Sequence, residues 1–385
     1  MSILSIHGRK YGAGSPLIVA EVGTGHNGDR VKAAELIAAA VDSGAGCVKF
    51  QHVYADEIIH PLTGVVPLPG GPVALYDRFR ALETGLDFLS FLKDETERRG
   101  ALFLCTPFGK RSARELRDLG VAAMKVASPE LNHEPLLDEL ASFGLPVILS
   151  SGVSTLADIE RAVGLFSARP AYQDGVSLAL LHCVTAYPAP ERDYNLRVLP
   201  VLSTLLGMAP GVSDHSMDPV LVPALAAAVG AVVIEKHLCL SRDDPGLDDP
   251  IALPPGQFAA MVRAVQDAAG RPLEETALTL SRDYTPELVE AVLGNGRKRL
   301  ASSEADNYGR TNRSLHARTA IRAGQAFTEG NVAILRTEKV LRPGVQPRFL
   351  PIVLGRLAAR DVPDGQGIRW EDVGGPVDVQ AVSPG

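Results

Sequence analysis

Two histidines stand where one metal ion could be shared: His215 in Ser213-Asp214-His215-Ser216, and His237 in Glu235-Lys236-His237-Leu238. Each closes an apolar run, and the two runs are consecutive along the chain. Two imidazoles with open coordination positions suit a catalytic divalent cation that also takes a substrate oxygen, whereas a closed structural zinc site wants four protein ligands. Asp214 and Glu235 flank the pair as candidate orienting carboxylates. Lys49 in Cys-Val-Lys-Phe-Gln and Lys125 in Met-Lys-Val-Ala-Ser are ammonium groups among apolar neighbours, which need an anion to stay charged. That anion is either a carboxylate on a neighbouring strand or a bound phosphate or carboxylate. The hydroxyls of Thr106, Ser128 and Ser213 favour phosphate, whose oxygens take several donors. Glu21 and Glu130 can orient water, move a proton or bind a substrate hydroxyl, or else neutralise the lysines. His26, in Gly25-His26-Asn27-Gly28, either joins this group or organises its own loop.

Such residues do chemistry together only if the chain brings them to one place. Eight short, nearly continuous apolar segments run through the first 270 residues: Leu17–Glu21, Cys47–Gln51, Ala101–Thr106, Ala123–Ser128, Pro146–Ser151, Leu178–Thr185, Gly211–His215 and Val232–His237. This is the pattern of parallel strands buried on both faces. Between them, Arg30–Ser43, Leu86–Arg99, Pro135–Phe143, Leu156–Leu165 and Pro219–Val229 repeat apolar residues every three or four positions, and Thr155 with Asp158 forms a capping-box start. Eight strand–helix units without a GxGxxG phosphate turn predict a (β/α)8 TIM barrel. Glu21, Lys49, Gln51, Thr106, Lys125, Ser128, Thr185, Ser213, His215 and His237 then fall at its carboxyl-end rim, where barrel enzymes keep their active sites.

The barrel is expected over residues 1–275 and a linker over 276–311, with one helix at Pro286–Leu293. Gly- and Pro-punctuated residues 312–375 predict a small loop-rich domain, and 376–385 a tail. Of the 385 residues 46% are apolar and 22% charged, and the net charge is −7, so the chain reads as an ordinary globular protein with no global attraction for nucleic acid or an anionic membrane. Neither a signal peptide nor a membrane span is visible. Four widely spaced cysteines without a CxxC pair fit buried thiols in a reducing cytoplasm.

These residues carry a resemblance. Ala20-Glu21-Val22-Gly23 with His26-Asn27-Gly28, Val48-Lys49-Phe50-Gln51, Thr106-Pro107-Phe108, Lys125-Val126-Ala127-Ser128 with Glu130, Ser213-Asp214-His215 and Glu235-Lys236-His237 together resemble the bacterial sialic acid (N-acetylneuraminate) synthases over almost the whole chain. Arg313-Ser314-Leu315 resembles the start of that family's C-terminal SAF, or antifreeze-like, module. The resemblance implies a barrel that condenses phosphoenolpyruvate with an open-chain N-acetylated hexosamine, giving a nine-carbon 2-keto acid and phosphate, with manganese or magnesium as cofactor. It implies that His215 and His237 hold the metal and that Glu21 orients water. Lys49, Thr106, Lys125, Ser128 and Ser213 would hold phosphate and carboxylate, with Thr185 in the place of a phosphate-contacting Asn. Gln51, Glu130, Tyr187 and Asp248 would face the sugar. It further implies a domain-swapped homodimer in which Arg313 reaches the partner's sugar site. The sequence departs from the family at Gly25, Thr185 and Asp249, and in the loop Val53–Leu82 that would shape the sugar pocket. N-acetylmannosamine, a diacetamido hexose leading to legionaminic or pseudaminic acid, and a less common acceptor all stay open. A metal-assisted hydrolase would use the two histidines but leave the lysines unexplained, and a carbohydrate-binding protein without turnover would need neither group.

Overall fold

Alternation along the apolar segments sorts each strand's side chains between two surroundings. In the computed structural model, which describes residues 3–68, 71–338 and 340–376, these segments form eight parallel strands. They are β1 Leu17–Gly23, β2 Cys47–His52, β3 Leu102–Pro107, β4 Met124–Val126, β5 Val147–Ser150, β6 Leu178–Cys183, β7 Ala209–Asp214 and β8 Val233–His237. Each pairs with the next, and β8 returns to β1. A helix follows every strand: α1 Arg30–Asp42, α2 Leu86–Arg98, α3 Lys110–Asp118, α4 Glu134–Ser142, α5 Leu156–Ser167, α6 Val198–Leu206, α7 Leu221–Ala228 and α8 Pro255–Ala268. The expected (β/α)8 barrel is the fold. Helix α5 starts at the expected capping box, the Asp158 carboxylate accepting the Thr155 N–H at 2.9 Å.

On β1, Ile18, Ala20 and Val22 pack outward with the helices, while Leu17 and Val19 join the barrel interior. Leu104, Ile148, Leu181 and Val233 fill the same interior, and Leu4 and Ile6 of the N-terminal hairpin, Leu4–Ile6 with Arg9–Tyr11, close it from below. Each large apolar side chain so buried contributes about 1.5–3 kcal/mol. One layer higher the inward positions turn polar, and that layer is the site.

The expected linker is more structured than its sequence suggests. Helix α9, Leu273–Leu280, runs across the expected boundary at 275 and packs on α7, and α10, Pro286–Leu293, follows where a helix was expected. Only Thr276 and Leu280 of α9 are buried, too thin an apolar stripe to show as a period in the sequence. Beyond it β9 Arg313–Ala317 pairs with β10 Val332–Arg336, and β11 Arg356–Ala358 with β12 Val373–Pro376. Leu315, Ile321, Phe327, Val353, Val362 and Ile368 give this small domain its own core. The expected tail lies, from residue 377, outside the described residues. Among the described residues no helix is long and apolar enough to cross a membrane, and all four cysteines are buried and unpaired.

Candidate active site

Period-two alternation delivers the polar layer to one cavity. Glu21 follows Leu17 and Val19 on the inner face of β1, Lys49 and Gln51 follow Cys47 on β2, and Glu235 and His237 follow Val233 on β8. The cavity has a volume of about 510 Å³ and is lined by twelve of the fourteen candidate residues: Glu21, Lys49, Gln51, Thr106, Lys125, Ser128, Thr185, Tyr187, Ser213, His215, His237 and Asp248. That volume suits a ligand of small-molecule size.

At its floor the two lysines meet carboxylates. Lys49 Nζ lies 2.7 Å from Glu21 Oε2 and 3.6 Å from Glu235, and Lys125 Nζ lies 3.8 Å from Glu235. Gln51 donates to Glu21 at 2.8 Å, Ser213 to Glu235 at 2.9 Å, and Lys125 to Ser150 Oγ at 2.6 Å. Burial favours neutral Lys49, but Glu21 and Glu235 outweigh it and raise its pKa; for Lys125 burial prevails over Glu235 and lowers it. Burial likewise opposes a charged Glu235, yet Lys125 and Lys49 draw it down to about 2. Of the two sequence readings of the lysines, the structure shows the pairing with strand carboxylates, on the wall of an open cavity. The hydroxyls of Thr106 and Thr185 are buried there without a protein partner among the described residues, as expected of groups that meet a ligand.

His215 Nδ1 lies 2.9 Å from the Val184 carbonyl, the contact that places the ring proton on Nδ1, and Nε2 lies 3.4 Å from both Ser213 Oγ and Tyr187 OH. The rings of His215 and His237 are 5.6 Å apart, and Tyr187 stacks on His215 at 4.3 Å. Burial works against a charged His215, while the negative charge of an ionised Cys183, whose Sγ lies 3.8 Å from Nδ1, works for it and lifts it to about 9; burial lowers His237. Asp248 Oδ2 lies 3.9 Å from His237 Nδ1. No cluster of three or more His, Cys, Asp or Glu among the described residues is arranged to hold an ion. Two imidazoles facing one cavity offer a cation two donors and would leave its other positions open, unlike a closed structural site of four protein ligands.

Glu130 and Arg313, expected at the sugar, are turned to each other instead. Arg313 donates to Glu130 Oε1 at 2.9 and 3.1 Å, to Phe108 O at 2.9 Å and to Glu57 O, with both side chains fully buried. Arg336 of β10 donates to the same carboxylate at 2.8 and 3.0 Å. These pairs seat the small domain as a cap on the barrel, and it is Arg336, not Arg313, that lines the cavity. His26 stays outside the lining: its Nδ1 accepts the Gly28 N–H at 3.0 Å, and burial lowers it to about 4. Asp249 is turned into its own loop, accepting the Gly246 N–H at 2.8 Å, so its charge does not enter the pocket.

Sequence reasoning assigned Glu235 only an orienting place. Its position two residues before His237 was the signal that it faces inward. Arg78 and Arg336 had no such signal, because each comes from a segment folded over the barrel mouth.

Comparison with known proteins gives the chain its relatives. The chain is 32% identical to the spore coat polysaccharide biosynthesis protein SpsE of Bacillus subtilis over 97% of this chain and 98% of that one. The crystal structure of that protein superposes with a TM-score of 0.78, at 31% identity over 97% of this chain and 99% of that one. It is 30% identical to the N,N'-diacetyllegionaminic acid synthase of Legionella pneumophila over 92% of this chain and 94% of that one. The structure of an N-acetylneuraminic acid synthetase from Leptospira borgpetersenii matches with a TM-score of 0.62, at 29% identity over 80% of this chain and 95% of that one. The NeuB family model matches residues 36–271 and the SAF domain model residues 312–374, and the chain belongs to the NeuB family, with a SAF domain as its cap.

Proposed function

We infer that this enzyme condenses phosphoenolpyruvate with an N-acetylated hexosamine to a nine-carbon 2-keto acid, releasing phosphate. One observation carries the reading: two lysines, two unpartnered hydroxyls and two imidazoles line one cavity with Glu21 among them. Lys49, Lys125, Thr106, Ser128, Thr185 and Ser213 would bind the phosphate and carboxylate of the enol ester. Glu21, anchored by Lys49 and Gln51, would orient the water that adds at the carbon bearing the phosphate ester oxygen. The methylene carbon forms the new bond to the aldehyde carbon, and the C–O bond to phosphate breaks. His215 and His237 would hold Mn2+ or Mg2+, which supplies Lewis-acid polarisation of a substrate oxygen when bound. The lysines are already matched by Glu21 and Glu235, so a highly charged enol ester needs positive charge beyond theirs.

Gln51, Tyr187, Asp248 and the cap's Arg336 would face the sugar. Val73, Leu75, Phe79, Phe108, Leu247 and Ile251 form an apolar outer wall suited to acyl methyl groups. This favours a diacetamido hexose, which presents two, over N-acetylmannosamine, which presents one. The enzyme would work in the cytoplasm as a domain-swapped homodimer, in which the contacts of Arg313 and Arg336 with Glu130 that one chain makes with itself here would be exchanged between subunits. The test is phosphate release with mass spectrometry of the product over a panel of acetamido sugars, with and without chelator. Product requiring both substrates and a divalent cation is expected; release of phosphate without any sugar would overturn the synthase reading.

A further inference from the structure

The geometry points to Glu304 as a positioning residue through which the segment leading into the cap holds one wall of the anion cradle in place. The inference rests on the phosphate reading of that cradle. Glu304 is only 1% exposed although it belongs to an irregular stretch between α10 and β9. Its Oε2 accepts the backbone N–H groups of Val153, at 2.9 Å, and Thr185, at 2.8 Å, which lie just beyond the ends of β5 and β6. The carbonyls of the same two residues are taken by the same segment: Asn307 donates to Thr185 O at 3.3 Å and Asn312 to Val153 O at 3.0 Å. Lys298, half-buried nearby, donates to Ser151 O at 3.2 Å.

The wall needs this support. Val153 has a φ of 42°, in the left-handed region that a β-branched residue avoids, and such a conformation persists only where surrounding bonds impose it. Beside it, Gly152 leaves no room for a side chain: a Cβ there would stand 2.1 Å from Thr185 Oγ1 and 2.9 Å from Ser128 Oγ. Glu304 thus sets the backbone that carries Thr185, and it holds Thr185 against Gly152 and beside Ser128, a cradle group. The cap begins at Arg313, directly after Asn312, so one stretch of chain both seats the cap and braces the phosphate end of the cavity.

The test uses the full-length enzyme with Glu304→Ala and Glu304→Gln. Initial rates with each substrate varied, inhibition by inorganic phosphate, and amide exchange at Val153 and Thr185 are measured. In the Ala variant KM for phosphoenolpyruvate and the inhibition constant of phosphate should rise about tenfold, the loss expected of one charge-assisted hydrogen bond. The sugar KM should change less than about twofold, and both amides should exchange faster. Gln, which keeps one acceptor oxygen for the two N–H groups, should fall between Ala and the unaltered enzyme. Unchanged phosphate inhibition with both amides still protected would overturn the inference, as would equal losses on both substrates. If the Ala variant does not fold, the Gln variant and Asn307→Ala decide by the same readings. An unaltered enzyme that condenses no sugar would refute the synthase reading, while phosphate binding, followed directly by calorimetry, and amide exchange would still judge Glu304.

Discussion

His215 and His237 divide the labour of the site from the lysines, and substitutions should separate them. His215→Ala removes the imidazole whose tautomer the Val184 carbonyl sets, so divalent-cation binding measured by calorimetry and turnover should both be lost. Its circular dichroism should stay unchanged, because rim residues contribute little to barrel packing. Retained activity would remove the metal assignment. Lys125→Met instead strips one cradle cation and leaves Glu235 with Lys49 alone. The expected outcome is KM for phosphoenolpyruvate raised at least about tenfold with cation affinity preserved, which titration of Mn2+ would check.

Strands and cap place these residues by different means. On a strand, a residue's neighbours two positions away share its face, so β2 and β8 present Lys49 with Gln51 and Glu235 with His237 as pairs. The cap approaches from outside, and its grip is the fully buried carboxylate of Glu130 between two guanidinium groups. Breaking a buried pair from one side leaves an uncompensated charge, a cost of about 3–5 kcal/mol. Glu130→Ala should therefore loosen the cap, visible as protease cleavage near residue 311 at concentrations that leave the unaltered chain intact. Arg336→Ala, which keeps Arg313 in place, should raise the sugar KM about tenfold with little change for phosphoenolpyruvate. Equal effects on both substrates would deny Arg336 its place at the acceptor.

For the molecule entire, two measurements bear on assembly and stability. If the cap serves the partner subunit, mixed dimers of an Arg336→Ala chain, assayed at a sugar concentration well below its raised KM, with an inactive Glu21→Ala chain contain one intact site and should exceed the activity of the Arg336→Ala chain alone. No recovery in verified mixed dimers would place each cap on its own barrel. Burial lowers His182 to about 3 and His26 and His316 to about 4, in both barrel and cap. Unfolded imidazoles take up protons near pH 6.5. Between those values the unfolded state binds more protons, so the contribution of these three imidazoles is complete above about pH 6.5 and declines as pH falls towards 4. Each imidazole contributes up to about 1.4 kcal/mol per pH unit. The urea midpoint should drop between pH 7.5 and 5, and a midpoint that rises would contradict the three buried neutral imidazoles.

The barrel, its rim and the family could all be read from residue order, because strand alternation and the carboxyl-end position of polar residues are local properties of the chain. All eight strands lie within two residues of their expected ends. What sequence order could not convey is which groups meet across long separations. Glu130 with Arg313 is 183 residues apart, and Val153 with Glu304 151 residues apart. A carboxylate near a strand end reads alike whether it faces a sugar or a guanidinium, and Glu130 takes the latter because folding brings the cap onto it. Helix α9 escaped for the related reason that neighbours, not an apolar period of its own, make it pack. Local pattern is written in the chain; the partner that satisfies a buried charge exists only once distant segments are folded together.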